Sequence, residues 1–193
     1  MQFDSKEEQE FQYWVDELIN AEILKGYLYH PNPFHLTNKV SYQYKIESKR
    51  KTLDRQKLLL RPMIYTPDWI LYVSEKGEKF FDTFSVDLDR SLTYKTIPKN
   101  PTMYRHGNRI FVDVKGTYDP HGDGRYFTAM QKIVYDHYGI FVNKVVIGTK
   151  NNTLFEKTFT PKKSLFTKTK KQRSFQFKPI LLDDILSRIE HIK

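Results

Sequence analysis

Three groups of residues have the types and spacing to do chemistry together. Thr66-Pro67-Asp68-Trp69-Ile70 sets an acid at the head of one apolar run. Val112-Asp113-Val114-Lys115-Gly116 sets an acid and a lysine two apart at the end of another. In a strand, residues i and i+2 share a face, so Asp113 and Lys115 project together. A charged pair ending an apolar strand is costly to bury unless it is paired or used. The third group is the carboxylate run Glu7, Glu8 and Glu10. These are parts that phosphodiester hydrolysis needs. The attacked phosphate is anionic, and a divalent metal offsets the charge that develops on it. Mg²⁺ takes oxygen ligands from one or two carboxylates plus water. Asp68 and Asp113 can supply the carboxylates and the Val114 carbonyl a further oxygen. Lys115 can orient the attacking water, favour its hydroxide form or offset transition-state charge. A glutamate of the third group can complete the metal shell or take a proton.

The elements that must position these residues follow from periodicity. Residues 5–24 read as a helix: Ser5 with Glu8 three residues on is a capping-box pattern, and Phe11, Trp14, Val15, Leu18 and Ile19 recur at helical spacing. Gly26 reads as the helix stop. Tyr42, Tyr44 and Ile46 alternate as a strand does, and the basic stretch Ser48–Lys57 reads as a turn or loop. Leu58–Leu60 and Trp69–Val73 read as further strands. Residues 75–108 form an irregular insertion, with one added strand at Lys79–Val86. Ile110–Val114 is a central strand, Gly116–Gly124 a loop, residues 125–138 a helix, and Ile140–Ile147 another strand. Leu181–Ile192 reads as a short terminal helix. The expected fold class is α/β, a mixed sheet with helices on its faces over residues 1–150. A basic extension follows over residues 151–193. Trp14 and Trp69 are expected in the core.

Pro67-Asp68 followed by Asp113-Val114-Lys115 resembles the PD-(D/E)xK nuclease signature. Ser5-Lys6-Glu7-Glu8 running into Phe11 is similar to the SK-x-E opening of a phage-encoded group of that superfamily, described as endonucleases or Holliday junction resolvases. Tyr65–Asp68 and Asp113–Gly116 resemble that group's two core motifs, and the resemblance spans about residues 5–147. It implies a restriction-endonuclease-like core and a catalytic set of Glu8, Asp68, Asp113 and Lys115. It implies metal held by Asp68, Asp113 and Val114, with Mg²⁺ as cofactor and Mn²⁺ able to substitute. Glu7 is the alternative helix glutamate. Gln131 and Tyr135, four apart on the second helix, resemble a Q-xxx-Y pair that contacts nucleic acid in recombination-type nucleases. The implied activity is endonucleolytic cutting of branched or junction DNA by a homodimer, in the host cytoplasm for a phage-encoded chain. The 45-residue separation of Asp68 from Asp113 departs from the family's simple hairpin. The intervening insertion carries Asp82, Asp87 and Asp89, none with a lysine two residues on.

Charge and composition agree with a polyanion partner. The 193 residues carry a net charge of +9. Eight basic residues and no acid lie between Lys157 and Lys178, which leaves the rest of the chain near +1. Lys162, Lys163, Lys168, Lys170, Lys171 and Arg173 of that stretch are the expected DNA contacts. A second cluster, Lys45–Arg61, has seven basic residues against Glu47 and Asp54. With 39% hydrophobic residues the chain can bury a core. It has no cysteine, which excludes disulfides and thiolate zinc sites. No apolar run approaches the ~20 residues of a membrane span. The acidic opening Met1–Glu8 does not read as a secretory leader, so the cytoplasm is the expected compartment. No phosphate-binding loop or dinucleotide fingerprint appears, so no nucleotide cofactor is expected. Asp119–Gly124 lacks EF-hand spacing and reads as a surface loop, and the histidines show no metal-ligand spacing. Two other functions fit the same residues. One is a transposon-end or restriction-type endonuclease. The other is a non-catalytic nucleic-acid-binding protein on a nuclease fold.

Overall fold

A computed structural model of the chain describes residues 3–47, 51–83, 103–117 and 123–190. Asp87, Asp89 and most of the 119–124 loop lie outside them.

Helix α1 (Lys6–Asn20) starts where the sequence caps it. The Ser5 hydroxyl accepts from the Glu8 amide at 3.1 Å and donates to Glu8 Oε1 at 3.1 Å. Its stripe of Phe11, Trp14, Val15 and Leu18 is fully buried. The helix stops earlier than expected, and Gly26 lies instead within strand β1 (Leu24–Tyr29), at a shift in register. Strands β2 (Phe34–Thr37), β3 (Val40–Glu47), β4 (Thr52–Leu60), β5 (Met63–Tyr65) and β6 (Trp69–Val73) follow. After them come helix α2 (Glu75–Thr83), strand β7 (Arg109–Lys115), helix α3 (Asp123–Tyr138) and strand β8 (Val142–Val146). The chain continues through helix α4 (Leu154–Lys157), a 3₁₀ turn (Lys162–Leu165) and helix α5 (Leu182–Glu190).

The four-stranded sheet has the order β1-β6-β7-β8. Strands β1 and β7 each run antiparallel to β6, and β8 runs parallel to β7 after the α3 crossover. This is a mixed α/β fold with β7 in the interior of the sheet. Side chains alternate across it. Ile110, Val112 and Val114 join Trp69, Leu71 and the α1 stripe in one apolar cluster. Phe111 joins Phe127, Met130 and Val134 of α3, with Leu36 and Tyr65, in a second. Asp113 shares the parity of Phe111 and therefore faces the second cluster.

The residues after 150 contribute to the first cluster: Leu154, Phe155, Phe159, Leu182 and Ile185 are all buried in it. The Trp14 ring stacks on Phe159 at 5.5 Å. Its indole N–H donates to Thr158 Oγ1 at 3.1 Å. A Thr158→Val variant leaves that buried donor unpaired and should cost about 1–2 kcal/mol. Urea unfolding of the two proteins checks this.

Two further expectations are corrected. Residues 52–57, read as loop, belong to β4, which pairs with β3 from Glu47↔Thr52 to Val40↔Leu60. Nearly every side chain of this ribbon is exposed on both faces, so β4 lacks the alternation by which Tyr42, Tyr44 and Ile46 mark β3 in sequence. The strand expected at Lys79–Val86 is helical to Thr83. Ser74 Oγ accepts from the Gly77 amide at 2.9 Å and starts α2, while Phe80 and Phe81 are buried. Gly77 itself is obligatory there, since an added Cβ would fall 2.0 Å from the Ile23 carbonyl oxygen.

Candidate active site

The antiparallel register of β6 on β7 pairs Trp69 with Val112. Continuing it by one residue sets Asp68 opposite Asp113. Directly opposed residues share a face, so both carboxylates lie on the same side of the sheet with Lys115. Asp68 Oδ2 accepts from the Val114 amide at 2.6 Å, which closes the end of the ladder. A strand residue directs its N–H and C=O toward the same neighbour, so the Val114 carbonyl also points to the Asp68 side. Asp113 is buried. Its Oδ2 accepts from the Tyr65 hydroxyl at 2.6 Å. Its Oδ1 lies 2.5 Å from Lys115 Nζ, an ion pair rather than a directed hydrogen bond. The lysine side chain is 35% exposed and links the buried acid to solvent.

Electrostatics follow from this crowding. Burial, and then the adjacent Asp113 charge, push the Asp68 carboxyl up to about 6. The Val114 amide and Lys115 pull it back, and Glu8 adds a smaller upward push. The Tyr65 hydroxyl is pushed well above its ordinary range by burial and then by Asp113, so it remains a donor at any working pH.

Both candidate glutamates of α1 stand at this end of the sheet. Glu8 is buried; besides Ser5, its carboxylate accepts from the Asp4 amide at 3.3 Å and from Tyr29 OH at 2.5 Å. Its charge reaches Asp68. Glu7 packs over the turn after β7, where a Cβ on Gly116 would lie 3.4 Å from its Oε1. Glu10 is elsewhere. It holds the Arg173 guanidinium at 2.8 Å and also accepts from the Ser164 hydroxyl.

The expected nucleic-acid residues divide into three places. Gln131 donates to the Val142 carbonyl at 2.6 Å and, with Tyr135, lines a groove with Tyr104 and Phe141 at the β8 edge. That groove is separate from the contacts of Asp113. Arg173 is held by Glu10, and Lys162 Nζ lies 2.7 Å from Asp183. Lys168, Lys170 and Lys171 are exposed on a tight turn closed by the Phe166↔Gln172 bridge. This turn and Lys163, whose ammonium lies 5.2 Å from the Tyr13 ring centre, flank α1. Between them and Lys6, Gln9 and Tyr13 runs a cleft of about 810 Å³.

Several neighbours of the site escaped the sequence. Tyr65 sits three residues before Asp68, but its bond to Asp113 depends on the β2–β5 pair folding over the sheet. Tyr29 and His30 arrive because β1 pairs with β6, and the His30 amide donates to the Asp68 carbonyl at 2.9 Å. His30 Nε2 also lies 3.5 Å from Asp4. The signal for them was the strand character of residues 24–29 beside an acid-headed strand.

Asp68 and Asp113 could hold a hard divalent cation, with the Val114 carbonyl directed to the Asp68 side, because oxygen is the ligand that Mg²⁺ takes. Lys115 already places a positive charge against Asp113. Comparison of the chain with protein-family models, with curated proteins and with solved structures finds no match.

Proposed function

We propose that the chain is a metal-dependent endonuclease that hydrolyses DNA phosphodiester bonds, on a restriction-endonuclease-like core. The observation that carries this reading is that Asp68, the residue before β6, is bonded to the Val114 amide of β7 beside Asp113, whose Oδ1 lies 2.5 Å from Lys115 Nζ. The order α1, antiparallel β1, β6 and β7, then α3 and parallel β8, with α2 between β6 and β7, agrees with the mixed sheet flanked by helices that the motif resemblance implies. Asp68, Asp113 and the Val114 carbonyl would hold Mg²⁺, or Mn²⁺ in its place. The ion supplies charge neutralisation at the phosphate and a bound water of lowered pKa.

The chain's own residues do the rest. Val114 N–H fixes the Asp68 carboxylate, and Tyr65 fixes that of Asp113. Lys115 reaches from the buried acid to solvent, where it can orient the attacking water and offset charge on the phosphoryl oxygens. Glu7 and Glu8 keep the approach acidic, so an incoming phosphate depends on the cation and on the basic surface. The exposed lysines at 168, 170 and 171 contact phosphates without reading bases. That suits recognition by DNA shape, such as a branch or junction. A homodimer would present two such centres to two strands.

Lys115→Met tests the assignment in single-turnover cutting of a labelled four-way junction. The expected loss is about 100-fold or more, with binding within a few-fold of wild type. Unchanged cutting would remove Lys115 from the centre. Tyr65→Phe should be milder. It takes one donor from Asp113 and should slow cutting about tenfold at saturating DNA, which a comparison of kcat with KM checks.

A further inference from the structure

Strands β3 and β4 form a two-stranded sheet of their own, and among the described residues neither pairs with another strand. The ribbon is about 26 Å long at ~3.3 Å per residue, or seven to eight base pairs at ~3.4 Å each. It continues directly from the β2–β5 pair, where Phe34 lies opposite Tyr65. Tyr65 is the residue that donates to Asp113. The ribbon therefore grows out of the carboxylate site and projects from it.

Its two faces differ. Opposed residues share a face, so Tyr42 lies with Lys57, Tyr44 with Arg55 and Ile46 with Leu53. The Tyr42 and Tyr44 rings are 5.8 Å apart and 43% and 39% exposed. This face holds two cations, two aromatics and no acid. The opposite face carries both acids of the ribbon, Asp54 directly across from Lys45 and Glu47 across from Thr52. Tyr42 and Tyr44 thus form an exposed aromatic pair with Ile46 on the same face, the kind of surface that marks an interaction site. A second copy packed face to face would bring Arg55 and Lys57 together with their own images and no acid between them. A phosphate backbone meets both features: the cations neutralise phosphates, and the tyrosines hydrogen-bond them or stack on exposed bases. A two-stranded ribbon also fits the major groove.

We propose that the Tyr42–Tyr44–Arg55–Lys57 face of the ribbon is a clamp for the duplex that flanks the carboxylate centre. The identity of the polyanion as DNA rests on the nuclease reading; the clamp itself does not require cutting.

The test is fluorescence anisotropy in EDTA with labelled duplexes of about 10 and about 30 base pairs. The proteins are wild type, Arg55→Gln/Lys57→Gln, Tyr42→Ser/Tyr44→Ser and, from the other face, Lys45→Gln. Far-UV circular dichroism checks that each retains the wild-type fold. The Gln pair should bind the long duplex about tenfold more weakly, with the slope of log K against log salt reduced by about 2. The Ser pair should lose affinity with the slope preserved, and Lys45→Gln should stay within about twofold of wild type. A loss in log K from Lys45→Gln of half that of the Gln pair or more would overturn the proposal, because net charge alone would then explain binding. So would unchanged affinity in both double variants. Self-association of wild type in sedimentation, lost in the Ser pair while DNA binding persists, would make a second copy the occupant instead. Because the titration runs without metal, it reads the ribbon whether or not the carboxylate centre cuts.

Discussion

Asp113→Asn is expected to abolish metal-dependent DNA cutting, by about 1000-fold or more, which is about 4 kcal/mol of transition-state stabilisation. Asp113 is the buried member of the carboxylate pair, and two groups are arranged around its charge: the Tyr65 hydroxyl and the Lys115 ammonium. Asparagine keeps the shape and can still accept from Tyr65, but it removes the anion that a cation and Lys115 both need. The fold should survive, because Lys115 is partly exposed and can turn to solvent rather than be stranded in the core. Matching circular dichroism and melting temperature, with cutting lost, separates a chemical effect from unfolding. Wild-type cutting by the variant would place the chemistry elsewhere.

Asp68→Asn is expected to raise stability while also removing activity. Burial and the neighbouring Asp113 raise the Asp68 carboxyl from 3.8 to about 6. The folded protein thus holds this proton more tightly than the unfolded chain does. The associated stability is full below the unfolded value and is lost as pH climbs through about 6. Near pH 7.5, without metal, the ionised carboxylate costs on the order of 2–3 kcal/mol. Asparagine retains an oxygen for the Val114 amide and carries no charge. The variant should therefore unfold at higher urea than wild type at pH 7.5 in EDTA, and the gap should close below about pH 4. Adding Mg²⁺ should narrow the gap by stabilising wild type alone. Lower stability of the variant at pH 7.5 would show that Lys115 and the Val114 amide outweigh burial. In cutting assays on wild type, the same group should make activity rise with pH through about 6 and fall away on the acid side.

How much was legible in the sequence depends on where each residue's partner lies. The α1 cap is local, since Ser5 and Glu8 are three residues apart and bond each other. The central strand was legible because Ile110–Val114 is apolar on both faces except at Asp113, and the one break in that pattern marked the site. The D-x-K spacing alone put Asp113 and Lys115 on one face. The Asp68–Asp113 opposition needed the β6–β7 register as well, which a 45-residue separation hides. The β3–β4 ribbon was half read, because a hairpin exposed on both faces has no buried positions to set a period. Phe80-Phe81 looked like strand; the Ser74 cap and the packing of both rings decide for helix. Charge masked the segment after residue 150, although Leu154, Phe155 and Phe159 lie in the core. Arg173, an expected DNA contact, has its guanidinium bound to Glu10, a pairing across 163 residues that no local pattern announces.

If Asp68, Asp113 and Lys115 form a metal-dependent phosphodiesterase centre, as proposed, the wild-type chain must cut DNA unaided. The most direct measurement is a cleavage assay of the wild-type chain on labelled four-way junction, flap, linear duplex and single-stranded DNA, each with EDTA, Mg²⁺ or Mn²⁺. Cutting of the junction is expected with either metal, and none in EDTA. Tight, salt-sensitive binding with no cutting of any substrate under any of these conditions would contradict it, and would leave a nucleic-acid-binding protein without catalysis.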